Sequence, residues 1–288
     1  MTAPAFHLSL LRSIAAVAFL ACTAAHAAQA AEASEWDKGD RSAARLVAGA
    51  ATRHDGKRVL RAGIELQLVP GWKTYWRYPG DAGVPPRFDF SGSRNVKDVE
   101  VLFPAPRRFE DAGQFSIGYT QDLILPLRIT PQDPNAPASV KLKLDYAVCE
   151  KLCVPVDAQL ELTLDGKRPT AHDDALRASE ALVPKPAALG AAGPLAIVAV
   201  RQEPGGGKPR VVVDIAAKDA KTLDLFAEGP RADWSLPLPE PVDGAPAGLR
   251  RFAFEIDGMP PDTDPRGARI TLTAVSEDGA IQVPFTLD

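Results

Sequence analysis

The sequence predicts an all-β protein, two β-sandwiches in tandem behind a cleaved leader, and three observations predict it. The 288 residues include 27 prolines, which interrupt long helices and favour short strands joined by turns. Apolar and polar residues alternate over several short stretches, the period-two signature of half-buried strands. The breaks between those stretches are rich in Pro, Gly, Asp and Asn, as turns require. Composition sets the outer limits. Apolar residues at 45% and charged residues at 24% are ordinary for a globular chain, so the chain as a whole is not disordered. The formal net charge is −4, and with no long basic run a nucleic-acid partner is not expected.

Residues 1–30 read as a secretory signal peptide. Arg12 is their one formal charge, Ile14 to Ala21 is a short apolar run, and Ala25-His26-Ala27 and Ala28-Gln29-Ala30 both fit the small-x-small cleavage pattern. The run is too short to span a bilayer. The competing reading is a lipoprotein signal at Cys22, but Phe19 stands three positions before it, where an aliphatic residue is usual. No later stretch approaches the ~18 apolar residues of a spanning helix. The expectation is a soluble periplasmic protein that does not span the membrane.

The first sandwich is expected over residues 37–166. Trp36 to Asp40 reads as a ragged mature terminus and Ala43 to Ala51 as a first strand. In Val59 to Pro70 the residues Leu60, Ala62, Ile64, Leu66 and Leu68 fall on one face, with Arg61, Glu65 and Gln67 opposite. Gly71 to Pro86 is aromatic and turn-rich. Val96 to Phe103, Leu123 to Thr130, Val140 to Val148 and Ala158 to Leu164 are further strands. Residues 167–194, rich in Pro and Ala, read as a linker, with a short helix possible over Asp173 to Leu182. The second sandwich is expected over residues 195–288, with strands at Leu195 to Gln202, Arg210 to Ala216, Leu223 to Glu228, Leu249 to Ile256, Ile270 to Val275 and Ile281 to Leu287. Gly205-Gly206-Gly207 and Glu277-Asp278-Gly279 read as hairpin turns. This half has no cysteine or histidine and offers no chemical constellation. It reads as a part that spaces or docks the first.

Cysteine usage carries the chemistry. With Cys22 removed in the leader, Cys149 and Cys153 remain. A pair in an exported chain reads first as a disulfide. Four residues of extended strand span roughly 13 Å, whereas a disulfide needs Cα atoms within about 7 Å. The backbone between the cysteines must therefore fold back into a turn or one helical turn. So small a loop gains little from closure, and labile disulfides are the exposed or strained ones. Three readings follow: a redox pair, a structural clip, and a metal site. The metal reading is short of ligands, since the mature chain has only His54, His172 and Met259 besides the two thiols. No cofactor is expected. Lys151 would lower a thiolate pKa and Glu150 would oppose it, and both also read as a solvated loop. Trp72, Tyr75 and Trp76 read as core and rim packing or as a wall beside the cysteines.

A resemblance adds to this. Gly71-Trp72-Lys73-Thr74-Tyr75-Trp76, Pro79-Gly80-Asp81-Ala82-Gly83, Pro104-Ala105-Pro106, Phe109, Gly118-Tyr119, Leu125-Pro126-Leu127 and Asp145-Tyr146 ahead of Cys149-Glu150-Lys151-Leu152-Cys153-Val154-Pro155 stand in that order. Together they resemble the N-terminal domain of DsbD, and especially its ScsB-type relatives, which are thiol-disulfide interchange proteins. The resemblance implies an immunoglobulin-like fold for the first half and a Cys149/Cys153 pair that cycles between dithiol and disulfide. It implies a separate membrane thiol reductase of the DsbD, ScsB or CcdA kind and periplasmic thioredoxin-like partners, for a chain that stands alone without the membrane domain. It also implies a cap loop over the cysteines, with Asp111 as its acid and Phe115 as its aromatic, and a wall that includes Tyr119 and Tyr146. The cysteine spacing is narrower than in DsbD proper, so the loop geometry does not carry over. The competing functions are a binding or adaptor module with a permanent disulfide, and a thiol-based copper-binding protein.

Overall fold

The computed structural model describes residues 1, 31–80, 83–111, 114–204, 208–219 and 221–288. The expected signal peptide, apart from Met1, and the expected Gly205-Gly206-Gly207 turn lie outside the described residues. The regular structure of the described residues is all strand apart from one α-helix at Asp173–Ala181. The strands expected from alternation are present, with shifted ends. The fold is all-β, built as two sandwiches.

In the first sandwich one sheet runs in the order Asp37–Lys38, Ser42–Ala48, Lys57–Leu68, Leu123–Pro131, Val96–Val101, with Thr52–His54 also paired to Lys57–Leu68. The facing sheet runs Cys153–Leu164, Ala138–Cys149, Lys73–Gly80, Gln114–Tyr119, Arg107–Asp111, with Arg87–Asp89 also on Ala138–Cys149. Inward residues of both sheets close the core: Leu46, Leu60, Ile64, Leu127 and Ile129 from one, Trp76, Ile117, Leu142 and Leu144 from the other. Two segments differ from expectation. Gly71 to Pro86 contains a full strand, Lys73–Gly80, and the presumed cap loop is the tip of a hairpin formed by Arg107–Asp111 and Gln114–Tyr119.

Residues 167–194 connect the sandwiches but are not a free tether. The helix lies on the outer face of the Lys57–Leu68 sheet, where Arg61 emerges opposite the core. Arg61 donates to Asp173 Oδ1 at 2.9 Å and to both carboxylate oxygens of Glu180 at 2.9 and 3.0 Å. Leu176 is fully buried. Gly63 makes the approach possible, because a Cβ there would stand 2.8 Å from Leu176 Cδ2 and 2.5 Å from Ile124 Cγ2. Asp173 and Asp174 occupy the first turn, where the helix dipole favours negative charge.

The second sandwich pairs Lys185–Pro186, Gly279–Thr286, Arg269–Ser276 and Asp224–Glu228 in one sheet, and Leu195–Glu203, Arg210–Ala217, Arg250–Glu255 and Glu240–Val242 in the other. Its core is separate, built on Ile197, Val213, Ile215, Leu225, Ile270, Leu272 and Val283. Buried Asp214 sits between Arg201 and Arg251. The two halves are packed together. Phe226 and Leu238 enter the first core, with the Phe226 ring 5.8 Å from that of Trp76. Arg77 makes a two-pronged ion pair with Glu228 at 2.7 and 2.8 Å. The Tyr78 hydroxyl donates to the Trp234 carbonyl at 2.7 Å and accepts from the Leu236 N–H. The second sandwich is thus built into the back of the first.

Candidate functional site

The site is the closed end of the longest hairpin in the first sandwich. Ala138–Cys149 and Cys153–Leu164 pair without a break from Ala138 opposite Leu164 to Cys149 opposite Cys153. The fold-back that the cysteine spacing demanded is a turn of three residues, Glu150 to Leu152. The Glu150 N–H donates to the Leu152 carbonyl at 3.3 Å. The two cysteines form a disulfide, with Cα atoms 4.1 Å apart.

Strand alternation decides what surrounds them. Leu144, Tyr146 and Val148 point into the sandwich core. Ala147 and Cys149 point the other way, onto the outer face. There they form a small cluster with Tyr75, and Phe109 packs against it. Register supplies these neighbours: Cys149 lies opposite Lys73, Tyr75 opposite Gly118, and Phe109 opposite Ser116. Gly118 and Ser116 are small, so the strand between Tyr75 and Phe109 presents little bulk on this face. A Cβ at Gly118 would fall 2.0 Å from the Thr74 carbonyl oxygen, which only glycine avoids. Thr74 Oγ1 donates to the Ala147 carbonyl at 2.9 Å and ties the Tyr75 strand to the cysteine strand.

The Tyr75 hydroxyl donates to Cys149 Sγ at 2.8 Å and lies 3.2 Å from Cys153 Sγ. Lys73 Nζ sits 4.9 Å from the centre of the Phe109 ring, a cation–π geometry. The two sulfurs are unequal. Cys149 is 2% exposed, whereas Cys153 is exposed, as are Glu150 and Lys151. Leu152, at 79% exposure, stands beside the accessible sulfur.

The remaining expected site residues fall elsewhere. Tyr146 has inward parity, and its hydroxyl shares a buried 2.8 Å hydrogen bond with Ser42 Oγ; burial pushes its pKa up. Tyr119 also faces inward and donates to the Pro104 carbonyl at 2.8 Å; burial pushes its pKa well above the ordinary tyrosine value. Phe115 lies opposite Glu110 and packs against the main core, with the Arg108 guanidinium 5.6 Å from its ring centre. These three are not brought to the sulfurs. Asp111 pairs through its backbone with Gln114 at the hairpin tip, and its side chain lies outside the described residues. The aromatic residues that do meet the cysteine cluster are Phe109 and Tyr75. Both stood in the quoted motifs, and only the pairing register separates them from Phe115 and Tyr119.

Among the described residues no group of three or more His, Cys, Asp or Glu side chains could hold a metal ion. No described helix is long and apolar enough to cross a membrane. Fold and site define a class: an immunoglobulin-like β-sandwich that presents a two-cysteine disulfide, one sulfur buried and one open. Residues 45–165 match the family model for the N-terminal part of thiol:disulfide interchange protein DsbD. The fold extends the likeness beyond the segment. The crystal structure of the N-terminal periplasmic domain of ScsB from Proteus mirabilis superposes with a TM-score of 0.68 at 20% identity, covering 89% of this chain and 98% of that one. No curated protein matches the chain.

Proposed function

We propose that the protein is a periplasmic thiol-disulfide interchange protein that relays reducing equivalents through Cys149 and Cys153. Its partners are a membrane thiol reductase of the DsbD, ScsB or CcdA kind and periplasmic thioredoxin-like proteins. The observation that carries this reading is the asymmetry of the disulfide. An exposed Cys153 is joined to a buried Cys149 that accepts a tyrosine hydrogen bond. The strands that the bond joins are already paired up to the turn, so a bond across three residues adds little closure stability. The match of residues 45–165 to the DsbD N-terminal family model supports the same chemistry. The leader pattern in residues 1–30 and the likeness to a periplasmic domain support the location.

The exposures order the steps. A partner thiolate attacks Cys153 Sγ, the S–S bond breaks, and Cys149 departs as a thiolate while Tyr75 donates to it. The partner's second thiolate then attacks its own sulfur in the mixed disulfide and releases Cys153 as a thiolate. The partner has lost two electrons and forms its disulfide. The protein has gained them and, after taking up two protons, is a dithiol. The reverse sequence passes the electrons on: Cys153 attacks an oxidised partner, and Cys149 resolves the mixed disulfide.

The test is trapping. Reduced Cys149→Ser protein, mixed with an oxidised thioredoxin-fold protein, should accumulate a mixed disulfide through Cys153. Reduced wild-type protein should pass through it and yield the reduced partner. If neither product forms, the relay reading fails.

A further inference from the structure

The strand that carries Phe109 is the edge of its sheet, paired among the described residues only with Gln114–Tyr119. An edge strand held by one hairpin partner is easily peeled away. Its next residue back, Arg108, points to the opposite face and is held by five contacts from the second sandwich. It donates to both carboxylate oxygens of Asp224 at 2.8 and 3.2 Å, to Glu240 Oε1 at 2.6 Å, and to the carbonyls of Pro239 and Leu225 at 2.7 and 3.4 Å. The arginine is 14% exposed, with Asp224 at 26% and Glu240 at 54%. Fixed, planar donors matched to carboxylates and carbonyls make a directional clamp. Arg108 and Phe109 are neighbours on one strand, so whatever holds the first positions the second.

We propose that Arg108 is a positioning residue for the cysteine pair: the second sandwich grips it and thereby keeps Phe109 over the Tyr75–Ala147–Cys149 cluster. The second sandwich then sets how readily the buried sulfur, Cys149, is reached, although it contributes no atom to the reaction. This rests on the reading of Cys149 and Cys153 as the redox centre. It goes beyond that reading by assigning the second half of the chain a task. The same half braces the neighbouring strand of the site through the Arg77–Glu228 and Tyr78–Trp234 contacts.

The test is the rate at which a maleimide labels Cys149 in the Cys153→Ser full chain. That reaction needs only a covered thiol and no natural partner, so it separates failure of the clamp from failure of the relay. Arg108→Met keeps most of the stem and removes the fork, and Asp224→Asn with Glu240→Gln removes the two negative ends. Each should speed Cys149 labelling by about tenfold, the factor that ~1.4 kcal/mol of lost closure represents. Phe109→Ala should give at least the same gain, and Arg108→Met added to it should give no more, because both act through one cover. Labelling of Cys153 in the Cys149→Ser chain, where the sulfur is already open, should keep its rate in the Arg108 variant. Circular dichroism checks that each variant is folded. An Arg108→Met, Cys153→Ser protein that melts as its Cys153→Ser parent and labels at the parent's rate overturns the proposal. So does a double variant in which the two gains multiply.

Discussion

Replacing Tyr75 with Phe removes one atom from the site and tests what the hydroxyl does for Cys149. The structure shows that hydroxyl 2.8 Å from Cys149 Sγ, on a cysteine that is 2% exposed. Against a disulfide sulfur the hydrogen bond is weak. Against a thiolate it is a bond to a charged group, worth about 1.5–3 kcal/mol. The open Cys153 side lets water replace part of it, so the lower end of that range applies. Dividing by about 1.36 kcal/mol per pKa unit gives a change of roughly one unit. The sign follows from which form is stabilised: a donor to the thiolate favours the charged form, so its loss raises the Cys149 pKa. A leaving thiol of higher pKa departs more slowly, so attack on Cys153 slows as well. The assay is ultraviolet thiolate absorbance against pH, on Cys153→Ser and on Cys153→Ser with Tyr75→Phe, where Cys149 is the only titrating thiol of the pair. An unchanged or lowered Cys149 pKa in the Tyr75→Phe protein refutes the reasoning.

Three further outcomes follow from the geometry. In the single-cysteine variants a maleimide should label Cys153 in Cys149→Ser about tenfold faster than Cys149 in Cys153→Ser, since an opening cost of ~1.4 kcal/mol suffices for that ratio; equal rates would remove the assignment of the attacking sulfur. Arg61→Ala strands the buried Asp173 carboxylate beneath the helix, and denaturant unfolding should show a loss of about 3 kcal/mol; a loss within error would mean the helix is not anchored there. Asp214 has its pKa lowered, first by the hydrogen bond from Arg251 and then by Arg201. A depressed carboxylate contributes stability above its unfolded value and loses it as pH falls through the folded one. The stability gap between wild type and Asp214→Asn, read from urea midpoints, should therefore be wide at neutral pH and close below about pH 4.

The period of the chain carried most of the fold. Leu60, Ala62, Ile64 and Leu66 alternate in the sequence and line the core in the structure. The cysteine spacing alone required the fold-back that became a hairpin turn. What escaped the pattern were strands whose two faces are both occupied. Lys73–Gly80 shows Tyr75 to the cysteines, Trp76 to the core, and Arg77 and Tyr78 to the second sandwich, with a register shift between Tyr75 and Gly80. No polar face remains to make alternation visible. Arg107–Asp111 hides its strand character behind charge, because Arg108 is there for the second sandwich and not for water. The same holds for Phe109 and Phe115, of which Phe109 packs against the cysteine cluster. Both are aromatic and close to the hairpin tip, and only the pairing of Phe109 with Ser116 shows which face each takes. The second half held no chemistry to find in sequence, since its contribution consists of carboxylates and carbonyls that matter only once Arg108 reaches them.

The most direct test of the account is the equilibrium reduction potential of the Cys149–Cys153 pair, measured by thiol trapping in glutathione buffers. The account predicts a value between about −180 and −270 mV, where proteins that exchange disulfides sit. A value below about −300 mV would mark a structural bond and contradict the relay.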